Sequence, residues 1–399
     1  RPDFDYAAFG YGRSRCQKGW CIALYRWRRR HRYVCGAGLS ALLGDSKIVD
    51  HFVEQAKWCA ALVSPFTAAL HDQFARDFDA GGTVADICGD WPTNPRKDAL
   101  GLRLAGYLHY SVLSGAAPDL SAVYPKGRND WSMDTVWPVA EAWLAATKSD
   151  ARTFLESPPQ TNETRRSIIF LPGFLKLAGR FDMPMHLLEL GASAGLNQNW
   201  DQFNYSTDTW SRAGTSDVQV TTDWRAPVPA HLDARVRIES RQACDLKPFD
   251  LSEPDQALRL KCYTWADQPD RLERLDAAIR LAQANGTRVQ QADAARWIAQ
   301  RLNTRPADGL TVIYHSAFLI YPPREVIAEI VGTIRQKGAG ASETAPLAWL
   351  SYESKALFGG DTTSPNMHAR LETWPGGEID VYAQSDGHVT YVEPHSAGT

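Results

Sequence analysis

Leu187-Leu188-Glu189-Leu190-Gly191-Ala192-Ser193-Ala194-Gly195-Leu196-Asn197 is the stretch on which the reading of the whole chain turns. Residues 187–190 are apolar apart from one carboxylate and have the length of a buried strand. Small residues follow as far as Gly195, and a helix-compatible run begins at Leu196. A strand that turns through Gly191 and Gly195 into a helix is the opening crossover of a nucleotide-binding α/β sheet. Glycine suits that turn because it accepts positive φ and lets a ligand approach the backbone. The spacing is E-x-G-x-x-x-G, with alanine and serine between the glycines, and so differs from the G-x-G-x-x-G dinucleotide fingerprint. A tight strand-to-helix turn that holds no ligand would use the same residues, so its neighbours decide its meaning.

Downstream, the segments alternate as a helix-covered sheet requires. Strands are expected at 236–239, 288–291, 310–315 and 347–352, with helices at 258–284, 294–302 and 325–337. Two alternating strands, 379–383 and 389–392, close the chain around Ser385-Asp386-Gly387-His388, whose Asp-Gly step signals a hairpin. Upstream, residues 47–180 read as helical. Val49, Phe52, Val53, Ala56 and Ala60 recur at steps of three and four, as do Leu62, Phe66, Leu70 and Phe74. Further helices are expected at 99–115, 137–146 and 165–177. Thr161 or Asn162 would cap the last of these, with Glu163 in its first turn. Capping leaves Gln160 and Arg165 unexplained, and both stand just ahead of the glycine turn.

The 399 residues leave room for two domains with full cores, and an apolar fraction of 44% with 22% charged residues is that of a soluble globular protein. Fourteen tryptophans imply large aromatic clusters or a stacking pocket. The formal net charge of −3 hides an asymmetry: residues 1–33 carry nine Lys or Arg, leaving 34 basic against 44 acidic residues in the remainder. So acidic a body makes a poor phosphate-binding surface, which argues against nucleic acid as a partner. The seven cysteines are odd in number and widely spaced with no C-x-x-C, so neither a disulfide framework nor a zinc site is indicated. Reduced thiols imply a cytoplasmic setting. No apolar run is long enough to cross a membrane, and 33–44 is too short and glycine-broken for a signal peptide. The first methionine is Met133, so Arg1 is read as a tag remnant, a mis-assigned start or a processed tail. Residues 1–45 are expected to be poorly ordered or artefactual.

The glycine spacing and the closing hairpin resemble class I S-adenosylmethionine-dependent methyltransferases. Residues 50–394 also resemble a bacterial domain-of-unknown-function family, number 2332. The matching stretches are Gln160-Thr161-Asn162-Glu163, the turn 189–197, Trp200-Asp201, Cys244-Asp245-Leu246 and Trp265-Ala266-Asp267-Gln268 with Arg271. Ala292-Asp293-Ala294, His315-Ser316 and 371–378 with Trp374-Pro375-Gly376-Gly377 follow in the same order. The resemblance implies an α/β chain: a Rossmann-like methyltransferase sheet with a terminal antiparallel hairpin at 181–395, preceded by an all-helical domain at 46–180.

It also implies a cofactor, S-adenosylmethionine. Glu189, Gly191, Ala192, Ser193 and Gly195 would hold its methionine part and approach the ribose. Glu239, taken as the carboxylate ending the second strand, would accept the ribose hydroxyls, although it lies much further along the chain than the ~20 residues usual in such folds. Asp293 would accept from the adenine amino group, and is equally suited to cap the following helix. The insertion 199–235 is expected over the site. Trp200, Asp201 and Tyr205 from it, with Gln160, Asn162 and Arg165, are the acceptor-side candidates, although aromatic packing accounts for Trp200 and Tyr205 as well. His315, at the end of the fourth strand, is the candidate base for acceptors that need one; the same position suits a histidine that only caps a strand. No G-x-S-x-G surrounds Ser316. Asp267, Gln268 and Arg271 are expected to form a structural network. The expected activity is methyl transfer to a small molecule or protein side chain. The alternatives are a non-catalytic nucleoside-binding or interaction protein of the same fold, and a nicotinamide-dependent oxidoreductase, which the glycine spacing opposes. The first reading requires Glu189, Glu239 and Asp293 to converge with the glycine turn on one crevice.

Overall fold

Seven helices occupy the first part of the chain: α1 (Leu42–Ala61), α2 (Pro65–Asp79), α3 (Thr83–Cys88), α4 (Leu100–Leu113), α5 (Pro118–Val123), α6 (Met133–Ala146) and α7 (Lys148–Leu155). The structure, a computed structural model, describes residues 42–127, 129–358 and 366–395. The expectation of disorder for residues 1–45 therefore falls outside the described residues as far as 41, and residues 42–45 already belong to α1. The periodic apolar residues do what their spacing requires: Phe52, Phe66, Leu70, Phe74, Leu104, Leu108 and Leu144 are all buried in one core. Each contributes roughly 1.5–3 kcal/mol by leaving water. Ser64 starts α2 by accepting a hydrogen bond from the Thr67 amide, with Pro65 at the first helical position.

The helical layer is closed by the sheet region. Cys262, Tyr263 and Ala266 complete its core. The buried Asp267 carboxylate accepts from the Ser64 hydroxyl at 2.6 Å and the Phe66 amide at 3.0 Å. The Gln268 amide donates to the Leu62 and Val63 carbonyls. This is the structural network expected for Asp267 and Gln268, and its work is to fix the α1–α2 turn.

The second region is a mixed α/β assembly. After α8 (Ser167–Phe181) come β1 (Met185–Leu190), β2 (Asn204–Ser206), β3 (Ser211–Arg212), β4 (Gln219–Thr221), β5 (Asp223–Trp224) and β6 (Ile238–Asp245). Next are α9 (Pro254–Cys262), α10 (Pro269–Ala284), β7 (Gln290–Gln291), α11 (Ala294–Asn303), β8 (Leu310–Ser316), α12 (Arg324–Ala339) and β9 (Leu347–Ser354). The chain closes with β10 (Met367–Trp374), β11 (Glu378–Ser385) and β12 (Tyr391–Pro394). A nine-stranded, mostly parallel sheet runs β5-β12-β11-β10-β9-β8-β1-β6-β7, and β3-β2-β4 form a small separate sheet. From β9 through β8, β1 and β6 to β7 every neighbour is parallel. Helices α8, α9 and α10 pack on one face with Leu187, Val312 and Leu350. Helices α11 and α12 cover the other with Leu188, Ile313 and Trp349. Burial on both faces explains why β1, β8 and β9 read as near-continuous apolar runs.

Four details differ from the sequence reading. Helix α8 packs in the sheet core, so the helical core ends with α7. The second parallel strand extends to Asp245 instead of stopping at Glu239, because most of its sequence is polar and hides it from a hydrophobicity pattern. The insertion 199–235 buries Trp200, Trp210 and Trp224 in the sheet core, and β5 pairs with β12 at the sheet's outer edge. Strand β10 was not expected at all, and β9-β10-β11-β12 form an antiparallel meander.

Candidate functional site

Numbered along the chain, the five parallel strands have the order 3-2-1-4-5, which reverses between β1 and β8. Ligands of open α/β sheets lie beyond the carboxyl ends of the strands at such a reversal. The glycine turn emerges there. Gly191 has φ +64°, Ser193 +55° and Gly195 +72°. The turn is pinned by the Ala192 amide donating to the Cys244 carbonyl at 3.1 Å and by Gly195 donating to Ala192 at 2.8 Å. Ser193 tolerates its left-handed backbone because its amide donates to Asp245 Oδ2 at 2.9 Å. Its own hydroxyl is buried with no hydrogen-bond partner among the described residues.

The carboxylate at the end of the second strand is thus Asp245, and sequence reasoning missed it as a site residue. Glu239 stands at the other end of β6, exposed, where β6 pairs with the start of β1. It does not converge with the glycine turn, so the convergence of Glu189, Glu239 and Asp293 that the methyltransferase reading required is not met. The reason is strand direction: the last residue of a parallel strand, and not its first, reaches this edge. The signal that marks Asp245 is the Cys244-Asp245-Leu246 stretch already noted. Asp293 does reach the edge. It is exposed, follows β7, and accepts from the Arg296 amide at 3.1 Å as the cap of α11. The adjoining Ala292 amide donates to the Asp245 carbonyl at 3.0 Å.

Glu189 is buried beneath the turn and accepts from the Tyr314 hydroxyl at 3.1 Å. Burial pushes its carboxyl up to about 8, so it is neutral at pH 7.

The segment 160–166 crosses this same edge. Gln160 donates to Asp245 Oδ1 at 3.4 Å, and Asn162 Oδ1 accepts from the Leu196 amide at 2.9 Å. Asn162 therefore caps the short helix after the glycine turn rather than the helix that follows it in sequence. That helix is instead started by Glu163, which accepts from the Arg165 amide at 3.0 Å. The Glu163 carboxylate also holds Arg271 at 2.8 Å and Arg274 at 3.2 Å. Burial alone would raise its carboxyl, but Arg271 and Arg274 together draw it well below the usual range. Arg166 straps the edge by donating to the carbonyls of Gly387 at 3.0 Å and Ser316 at 3.4 Å.

The remaining expected site residues are used elsewhere. Trp200 stacks on Phe174 with centroids 4.0 Å apart, and Tyr205 donates to the Trp200 carbonyl at 2.7 Å. Asp201 takes both oxygens of its carboxylate to one nitrogen of Arg241, at 2.7 and 2.6 Å. All three belong to the packing of the sheet's α8 side. His315 has both ring nitrogens engaged within the chain. The Trp349 indole, which can only donate, reaches Nε2 at 2.9 Å, so Nδ1 carries the proton and donates to Glu353 Oε1 at 2.7 Å. No lone pair is left on that ring for an acceptor's proton, and the expected base is a buried link between β8 and β9. The Phe318 side chain lies over Gly191, where a Cβ would sit 2.3 Å from its ring.

Among the described residues there is no group of three or more His, Cys, Asp or Glu placed to hold a metal, and the cysteines Cys59, Cys88, Cys244 and Cys262 are free and buried. No described helix is long and apolar enough to cross a membrane. The model of a bacterial family, described as an uncharacterized protein conserved in bacteria (DUF2332), matches residues 49–393. No curated protein and no solved structure matches the chain.

Proposed function

The chain belongs to the bacterial DUF2332 family, and from the carboxyl edge of its sheet we propose that it is an S-adenosylmethionine-dependent methyltransferase acting on a small molecule or a protein side chain. One observation carries the reading: the glycine turn after β1 is hydrogen-bonded through Ser193 to Asp245, the carboxylate that ends the neighbouring strand, at the point where strand order reverses. The residues fit the cofactor's chemistry. Gly191 and Gly195 supply the positive φ the turn needs, with the Phe318 ring over the first and Gln198 and Val289 beside the second, and the unpartnered Ser193 hydroxyl offers a polar contact. Asp245 would accept from the ribose hydroxyls in place of Glu239, and Asp293 would accept from the adenine amino group. When bound, the cofactor supplies an electrophilic methyl carbon. The chain's part is to hold the acceptor in line with it, which is where most of the rate enhancement of such a transfer arises. No base is assigned, since His315 is committed to Trp349 and Glu353.

A second reading, a non-catalytic protein of the same fold, draws support from Phe318, whose ring covers Gly191. Calorimetric titration of the full chain with S-adenosylmethionine and S-adenosylhomocysteine separates the two. The methyltransferase reading expects micromolar binding, weakened at least tenfold by Asp245→Asn and by Asp293→Ala, and tightened or unchanged by Phe318→Ala. Absence of binding in both the native chain and Phe318→Ala would leave the non-catalytic reading standing.

A further inference from the structure

Three arginines, Arg165, Arg271 and Arg274, gather around one carboxylate where segment 160–166 meets α10. Glu163 serves Arg271 and Arg274 with one oxygen each, and spends a further bond on the Arg165 amide. The Arg165 guanidinium makes no ion pair with it. Asp386, the other acid nearby, is committed to its own hairpin turn, accepting from the His388 amide at 2.9 Å, the Thr390 amide at 3.1 Å and the Thr390 hydroxyl. Among the described residues no carboxylate lies within ion-pair distance of Arg165, and its Nε is buried without a partner. Arg166 next to it is used up as a strap between β8 and the closing hairpin. Burial, followed by the charge of Arg274, lowers the Arg165 guanidinium to about 10. It stays charged at pH 7, and Glu163 and Asp386 act on it only from beyond ion-pair distance.

A half-buried cation with no carboxylate paired to it is costly, because the guanidinium loses water and gains no acceptor. A fork of N–H donors is also the geometry that matches the planar or tetrahedral oxygens of carboxylate and phosphate groups. We propose that Arg165, flanked by Arg271 and Arg274, is the seat of an anionic group, a carboxylate or a phosphate, on the molecule this protein acts on. The proposal rests on the methyltransferase reading only in taking that molecule as the methyl acceptor; the anion seat itself stands on the arrangement of charges. Arg271 itself lies over the Trp265 ring, 5.7 Å from its centroid.

The test uses the full chain with sodium phosphate and sodium malonate as probes, against sodium chloride at matched ionic strength, read by thermal shift and by calorimetry. Millimolar phosphate or malonate is expected to raise the melting temperature of the native chain. That increment should fall at least threefold in Arg165→Gln and be largely kept in Arg165→Lys, and the stronger of the two probes identifies the group as phosphate or carboxylate. Without added anion, Arg165→Gln is expected to melt at or above the native temperature. An equal increment in Arg165→Gln, no increment in the native chain, or a fall of several degrees in the anion-free variant would each overturn the proposal. The outcomes separate from those of the cofactor titration. Arg165-dependent anion binding without S-adenosylmethionine binding would keep the seat and discard methyl transfer. The converse would keep methyl transfer and discard the seat.

Discussion

The two halves of the nine-stranded sheet handle polar residues in opposite ways. In the parallel half every strand runs in one direction, so each exit falls on the same edge. The Gly191 turn, Asp245, Asp293 and the segment after Ser316 therefore gather, and segment 160–166 crosses among them. In the antiparallel half the chain reverses at each strand, and its polar residues lie along the strands instead. His368, Arg370 and Glu372 are all buried on the α12 side of β10, with Glu372 holding Arg370 at 2.7 Å and Arg335 at 3.3 Å. The same residue types thus make a candidate site in one half and a structural ladder in the other. Strand direction makes the difference, because only co-directional strands bring distant loops together.

That contrast can be broken by substitution. The largest effect is expected at the parallel edge from Glu163→Ala, which strands Arg271 and Arg274 without a carboxylate and costs about 3–5 kcal/mol by chemical denaturation. Because the Glu163 carboxyl is held below its unfolded value, this contribution is present above about pH 4.5 and is lost as pH falls toward the lowered value. The native chain should show that acid loss and the variant should lack it. Next comes Gly191→Val, which combines a φ of +64° with a Cβ 2.3 Å from the Phe318 ring. A loss of about 3 kcal/mol is expected, together with loss of S-adenosylmethionine binding.

In the antiparallel half, Glu372→Gln weakens the bonds to Arg370 and Arg335 and is expected to cost about 2 kcal/mol while leaving every ligand titration unchanged. A change in ligand affinity there would abolish the division between the halves. Glu189→Gln acts in the opposite direction and stabilises. Burial raises the native carboxyl to about 8, so the folded state keeps a proton that the unfolded chain releases above about pH 4.3. Native stability therefore declines from there toward pH 8, and the neutral amide removes that slope. The variant should melt several degrees higher at pH 8 and at the native temperature at pH 4. The smallest effect belongs to Lys176→Met, which breaks an exposed pair with Asp380 and should stay within about 0.5 kcal/mol.

What was legible in the chain follows from physical signal strength. The β1 turn was legible because a buried strand next to two glycines is a local pattern, and Asp293 because it starts a strongly amphipathic helix. Gln160 and Arg165 were legible as residues left over once capping had been assigned. Glu239 was chosen over Asp245 because β6 carries Glu, Ser, Arg and Gln before Ala243, so the strand read from its apolar pattern stops six residues before β6 does. Strand β10 was hidden for a related reason, since its buried His368, Arg370 and Glu372 imitate a polar loop. Trp200 and Tyr205 look the same in a sequence whether they line a pocket or fill a core, and here they fill the core.

The sequence by itself determined the helical first region, the alternation of strands and helices after it, and the turn at Gly191 to Gly195, because periodicity and positive-φ glycines act within a few residues of themselves. Only the tertiary structure decided that Asp245 meets that turn, that His315 is locked between Trp349 and Glu353, and that Arg165 is left without a carboxylate. Those outcomes depend on strand order and on which partner reaches a charge first, across separations of about 40 to 110 residues. No local pattern in the chain encodes such competition.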